Sequence, residues 1–310
     1  MGGPSGLPAI LLCTALAACS AEPRPATAPA DSAAARGAGA AAGAPAAILI
    51  GAGDIADCAT TGDSRTLAIL RRNAGTVFTL GDHAYPNGSR ADFARCYAPT
   101  WSKVKARTRP VIGNHDYGGG NAAPYFDYFG AAAGPRGRAY YSYDVGAWHV
   151  VVLNTNCGSV PGGCGVGSAQ QRWLRADLAA AGDCTVAMVH HPLFSSATIH
   201  PPTTQTRPLV QTLYDAGTEL LLAGHDHAYE RFAPQTPTGR PDPDRGIRQI
   251  IVGTGGAPLH PVGPAAANSE RRNNHTLGVL RLILRPGTFR WDFLPVPGGT
   301  FTDSGTGTCR

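Results

Sequence analysis

Five short segments along this chain share one form: an apolar run gives way to a glycine or a histidine, and a metal-ligating residue stands there. They read Gly53-Asp54-Ile55-Ala56, Gly81-Asp82-His83-Ala84-Tyr85, Gly113-Asn114-His115-Asp116, His190-His191-Pro192 and Gly224-His225-Asp226-His227. A fold that uses them together must bring several strand ends to one place. Their donors are carboxylates, an amide oxygen, a phenol and imidazoles with no thiolate, a set that suits iron, zinc or manganese. Two cations about 3.5–4 Å apart can grip a phosphate ester and activate a water in line with its leaving group. An aspartate after a strand often only caps a turn, so Asp54 or Asp82 alone would carry little. The set of five carries the reading.

The rest of the chain alternates strand and helix. Ala47–Gly53, Thr76–Leu80, Val150–Leu153, Cys184–Val189, Glu219–Leu222 and Gln249–Val252 are short apolar, β-rich runs bounded by turn residues, as buried strands are. Helical spacing of apolar residues predicts helices over Asp63–Asn73, Ala91–Val104, Ala169–Ala181 and Arg207–Ala216. Leu277–Leu284 and Thr288–Leu294 flank Arg285-Pro286-Gly287 and read as a hairpin. Ligand-type residues just past strands match the rule that α/β sites form at the carboxyl ends of strands.

Order and spacing of the five segments resemble the calcineurin-like metallophosphoesterase superfamily. Tyr85, three residues after Asp82, and the run Gly224-His225-Asp226-His227-Ala228-Tyr229-Glu230-Arg231 resemble its purple acid phosphatase branch, small bacterial members included. The resemblance runs from about Ile48 to Gly253-Thr254-Gly255-Gly256. It implies an α/β fold of two mixed β-sheets packed face to face with flanking helices, a four-layer sandwich. It also implies that Asp82 bridges two ions, that Asp54, Tyr85 and His227 complete one site, and that Asn114, His190 and His225 complete the other. A phenolate at Tyr85 would favour Fe(III) there, with Zn, Fe or Mn in the second site. One departure stands out: the family usually has glycine where this chain has Ala56, a change that touches loop packing more than ligation.

By the same resemblance His115 faces the substrate phosphate, where an imidazole can neutralise charge or hand a proton to the leaving oxygen; the alternative is a histidine that only orients its neighbours. His200, ten residues after His190, falls where the family often has a substrate-side histidine. Asp116 either orients His115 or caps the next turn. His83 must lie close against the site, His191 points away from His190, and His149, His260 and His275 read as structural. Gly253-Thr254-Gly255-Gly256 lacks the lysine and helix of a P-loop and reads as a glycine turn lining the pocket.

Residues 1–19 read as a lipoprotein-type signal peptide: Leu7 to Ala18 is too short to span a bilayer permanently, and Leu16-Ala17-Ala18-Cys19 resembles a lipobox. Residues 20–46, rich in Ala, Pro and Gly, are a linker, leaving about 264 residues (310 minus 46) for a catalytic domain at 47–310. Export agrees with six further cysteines, an even number that allows fifteen pairings. Cys157–Cys164 would close a Gly/Pro-rich loop, Cys58–Cys96 would brace the first two segments, and Cys184–Cys309 follows by elimination. Basic residues exceed acidic ones by 26 to 21 with no block of like charge, so nucleic acid is not an expected partner.

The expectation is therefore an exported phosphatase, tethered to the cell envelope through a lipid on Cys19, that hydrolyses small phosphomonoesters by direct attack of metal-activated water. Oligomeric state is not readable. Rival readings are a phosphodiesterase or nucleotide hydrolase on the same metals, a non-catalytic binding lipoprotein, and a hydrolase of non-phosphate esters.

Overall fold

Period-two alternation along the central strands decides what each side chain packs against. The computed structural model describes residues 1–3, 45–118, 120–200 and 202–310. The apolar run Leu7–Ala18, Cys19 and most of the linker lie outside the described residues. Among the described residues no helix is long and apolar enough to cross a membrane.

Thirteen strands form two mixed sheets. The first holds β1 (Ala47–Ala52), β2 (Thr76–Leu80), β3 (Thr108–Val111), β11 (Gly278–Arg285), β12 (Thr288–Pro295) and β13 (Ser304–Thr308), in the order β13-β12-β11-β1-β2-β3. In the second, β4 (Tyr141–Val145), β5 (Trp148–Val152), β6 (Cys184–Met188), β7 (Leu220–Ala223), β8 (Tyr229–Phe232), β9 (Arg248–Val252) and β10 (Ser269–Asn273) run β10-β8-β9-β7-β6-β5-β4. Val150, Val152, Val186, Met188, Leu220, Leu222, Ile250 and Val252 join Leu49, Val77, Leu280 and Phe293 of the first sheet in one core. Their neighbours Val151, Ala187, Leu221 and Ile251 face the other way. There they pack with Leu174 of helix α4 (Ala169–Ala180) and Leu209 and Leu213 of α5 (Arg207–Asp215). Helix α1 (Gly62–Arg72) packs against β11. The expected sandwich of two sheets with flanking helices is thus the observed one.

Several elements differ from expectation: β3, β4, β8, β10 and β13 are not among the runs expected to be strands. The helix expected over Ala91–Val104 is three pieces: α2 (Arg90–Asp92), a π turn at Phe93–Tyr97 and a 3-10 helix at Trp101–Arg107. Pro99 explains the break, because it lacks a donor and disfavours helical geometry at Ala98. Strand β3 contains Pro110, which cannot donate to a ladder, and lies at the sheet edge, where proline is tolerated. A further helix, α3 (Ala123–Phe129), follows it.

All three expected disulfides are present: Cys58–Cys96, Cys157–Cys164 and Cys184–Cys309. The last ties β6 of one sheet to the residue following β13 of the other. Bridges of this kind persist in oxidising compartments and suggest an exported protein.

Candidate metal centre

β1, β2 and β3 run parallel in one sheet, as do β6, β7 and β9 in the other. Asp54, Asp82, Asn114, His190 and His225 each follow one of these strands within three residues. The loops that carry them are stitched together. Asp54 N–H donates to Gly81 O (3.0 Å), Ile55 N–H to Asp82 O (3.0 Å), Tyr85 N–H to Ala56 O (2.8 Å) and Gly224 N–H to His190 O (3.0 Å). Three of the presumptive ligands, Asp54, Asp82 and His225, have left-handed backbones with φ of 60°, 52° and 71°. Such conformations are costly for residues with a side chain and cluster at functional sites.

The glycines before the ligands have a steric reason. A Cβ on Gly81 would lie 2.3 Å from His190 Nδ1, and one on Gly113 would lie 2.1 Å from Asp82 Oδ1. The recurring glycine–ligand pairs are therefore a close-packing requirement between loops.

Seven donors converge in two groups that meet at Asp82. Tyr85 Oη lies 3.1 Å from Asp54 Oδ1, 3.2 Å from Asp82 Oδ2 and 2.8 Å from His227 Nε2. On the other side, His190 Nε2 lies 2.8 Å from Asn114 Oδ1, 3.4 Å from Asp82 Oδ2 and 3.2 Å from His225 Nδ1. With metal–ligand bonds of about 2.0–2.2 Å, neighbouring ligands of one ion stand about 3 Å apart. The spacing fits. The supporting contacts fit as well: His190 Nδ1 lies 2.6 Å from Leu80 O and His227 Nδ1 lies 2.8 Å from Pro258 O. A carbonyl only accepts, so in each ring Nδ1 carries the proton and Nε2 is turned to the site, as metal-binding histidines are commonly held.

Electrostatics show what a cation would balance. Burial and the Asp54 and Asp82 carboxylates push the Tyr85 phenol well above its usual range. Burial opposes charge on His190, but the Asp82 carboxylate outweighs it and raises the imidazole to about 9. Burial likewise works against ionised Asp82, and His190 and His115 overcome it, so its carboxyl stays well below the usual range. Without a metal, a proton on His190 occupies the role of a positive charge between converging lone pairs.

Above the donors lies a cavity of about 260 Å³ lined by Asp57, His115, His200 and His260 together with the donors Asp82, Tyr85, Asn114, His225 and His227. His115 is 40% exposed, its Nδ1 lies 2.5 Å from Pro86 O, and its backbone N–H donates to Asp82 Oδ1 at 2.8 Å. His200 stacks on His225, with ring centres 4.1 Å apart. The structure therefore brings both substrate-side candidates to the cavity wall.

Asp116 is a correction. It neither orients His115 nor caps the following turn. Its fully buried carboxylate accepts from the backbone amides of Asp82 (3.1 Å), His83 (3.2 Å) and Gly113 (2.8 Å), and meets His83 Nδ1 at 2.8 Å. It holds the Asp82 loop from behind, with His83 turned inward to Thr79 Oγ1 (2.7 Å). His260, read as structural, also moves. It lines the cavity, stacked 3.8 Å from His227. Nothing local in Leu259-His260-Pro261 marks it; only the fold of the loop after β9 brings it there. His149 is structural as expected, between Asp144 and Asp177.

A two-sheet α/β sandwich thus gathers at its strand ends two groups of metal-type donors that share the Asp82 carboxylate. Residues 41–229 match the calcineurin-like phosphoesterase family, and the chain belongs to it. It is 29% identical over 233 residues to Purple acid phosphatase 21 of Arabidopsis thaliana, a stretch covering 66% of this chain and 49% of that protein. The chain spans half or less of the length of the curated relatives it matches. Purple acid phosphatase PPD1 from yellow lupin (Lupinus luteus) seeds superposes with a TM-score of 0.69 at 18% identity, over 85% of this chain and 54% of that one. GAP50, the anchor in the inner membrane complex of Plasmodium, superposes at 0.64 with 13% identity, over 86% of this chain and 90% of that one. The last two show the fold.

Proposed function

We propose that this protein is an exported, purple acid phosphatase-like hydrolase that cleaves phosphomonoesters at a dinuclear metal centre. The observation that carries the reading is the pair of donor groups meeting at Asp82 Oδ2, roofed by a cavity with three non-ligand histidines. A shared fold does not fix an activity, so the complete ligand set, more than the superposition, argues against a purely binding role. Asp54, Tyr85 and His227 with Asp82 would hold one ion, Fe(III) in view of the phenol; Asn114, His190 and His225 with Asp82 would hold the second, Zn, Fe or Mn. When bound, the pair would supply Lewis acidity and an activated water. The protein's own part is placement. His115, anchored to Pro86 and to Asp82, presents Nε2 to the cavity, where it can neutralise phosphoryl charge or protonate the leaving oxygen.

A cavity of about 260 Å³ suits a phosphoryl group with a small substituent better than an extended diester. One observation favours the rival diesterase or nucleotide reading: a groove of about 560 Å³, lined by Arg65, Asn274 and His275, shares Ala257 and Pro258 with the cavity. Export rests on the three disulfides; the lipid tether at Cys19 rests on sequence alone. The partner proposed is a small phosphate ester and not nucleic acid. The test is a panel of mono- and diesters assayed alongside elemental analysis. We expect two ions per chain and a kcat/KM for monoesters at least tenfold that for diesters. Preference for diesters would hand the site to the rival, and hydrolysis of neither would sink both.

A further inference from the structure

His200 and Asp226 form a contact that neither the ligand set nor the cavity wall explains. Asp226 sits between two proposed ligands, His225 and His227, is only 2% exposed, and has its carboxylate within ion-pair distance of His200. Its Oδ1 has no hydrogen-bond donor and His200 Nδ1 has no acceptor, although the two atoms lie 3.4 Å apart, within ion-pair distance and a small ring rotation from a hydrogen bond. A buried carboxylate oxygen without a donor is costly. The only unpartnered nitrogen placed against it among the described residues is that of His200.

The frame around this contact is fixed from three sides. The His200 ring lies on His225 with planes 30° apart and centres at 4.1 Å, which sets the tilt of the imidazole. The base of its loop is anchored by Glu230, buried in β8, which accepts from Ser196 N–H at 2.8 Å and Ser196 Oγ–H at 2.5 Å. The same loop is zipped to the His260 loop, Ala197 bridging Val262 and Gly263 N–H donating to Ser196 O at 2.8 Å. One run, His225 to Glu230, thus carries two of the proposed metal ligands, holds the base of the loop and meets its histidine. With Nδ1 directed at Asp226, the nitrogen left for the cavity is Nε2.

We propose that Asp226 is a positioning residue for His200: its carboxylate takes the Nδ1–H and so fixes which ring edge meets the phosphate ester. This rests on the reading of His200 as a substrate-side residue of the proposed phosphatase. A carboxylate behind a functional histidine holds ring orientation and tautomer, and losing one typically lowers affinity or activity 10–100-fold.

The test measures kcat, KM and metal content for Asp226→Ala, Asp226→Asn, His200→Ala and the double variant His200→Ala/Asp226→Ala, with an alkyl phosphate as substrate. We expect Asp226→Ala to lower kcat about 10–100-fold, with KM changed less than threefold and two ions per chain retained. Asp226→Asn keeps an acceptor oxygen of the same reach, so it should recover most of the loss. The double variant should be no slower than His200→Ala, because the carboxylate acts only through that ring. If Asp226→Ala does not fold, Asp226→Ser, whose hydroxyl is too short to reach Nδ1, takes its place. A full-rate Asp226→Ala alongside a slow His200→Ala would overturn the positioning role while leaving the phosphatase reading intact. A full-rate His200→Ala would remove the premise itself. Loss of an ion from Asp226→Ala, or a multiplicative drop in the double variant, would reassign Asp226 to the metal loop.

Discussion

The floor of the site and its rim are built in different ways. The floor, Asp54, Asp82 and His190, is fully or almost fully buried at strand ends and clamped by backbone-to-backbone bonds and glycine contacts. The rim, His115, His200 and His260, stands half-exposed on loops whose positions depend on other loops. Burial makes the floor unforgiving: removing one donor leaves partners uncompensated at low dielectric. The rim can lose a side chain and leave the floor standing. The floor should therefore govern whether metal is held, and the rim how fast an ester turns over.

The sharpest way to break this division is Asp82→Asn. The amide cannot serve two cations as a carboxylate does, so elemental analysis should find metal lost and assays should find kcat lower by several orders of magnitude. A fully active variant with two ions would end the bridging assignment. Next comes His115→Ala, which should keep both ions and lose about 10²–10⁴-fold in rate on an alkyl phosphate. An activated aryl phosphate, whose leaving group needs no proton, should suffer less; equal losses would instead mean that His115 neutralises phosphoryl charge. An ion missing from this variant would place His115 in the floor.

The smallest effect sharpens the electrostatics of the floor. His190 is raised to about 9 and Tyr85 well above the ordinary phenol range, so both are protonated at neutral pH before metal arrives. Zinc binding at pH 7.5 should then release about two protons, one from each, read by calorimetry in buffers of different ionisation enthalpy. A further share should come from His227, where burial opposes charge but the Asp54 carboxylate raises the imidazole. The release should fall to about one above pH 9, and metal affinity should climb with pH until then. The sign for folding is opposite in the metal-free protein. Because the folded pKa of His190 exceeds the usual imidazole value of about 6.5, its pairing with Asp82 stabilises fully below that pH and lapses as pH rises through about 9. No proton release on loading would show that Tyr85 and His190 are not both ligands.

Much of the floor is legible in the linear chain. Asp54, Asp82, His190 and His225 each follow an apolar strand closely, Asn114 follows a glycine, and strand periodicity, that glycine and ligand chemistry are all local signals. The even number of cysteines and their flanking positions also pointed, among fifteen possible pairings, to the three that the structure contains. Asp116 shows where local reading stops: adjacency to His115 suggests a partnership, yet its carboxylate turns inward to amides of the Asp82 loop, thirty-odd residues away in sequence.

By itself the sequence determined the strand and helix alternation, the donor types and their order, because those follow from short-range periodicity and from chemistry that each side chain carries with it. Only the tertiary structure decided which histidines form the rim and what stands behind them. His260 reaches the cavity because its loop is bonded to His227 and stitched to residues 196–198. Asp226 meets His200 because a loop from one strand end folds over the next. Such contacts are set by the closure of long loops on a shared core, and no local pattern of residues encodes which two loop tips will touch.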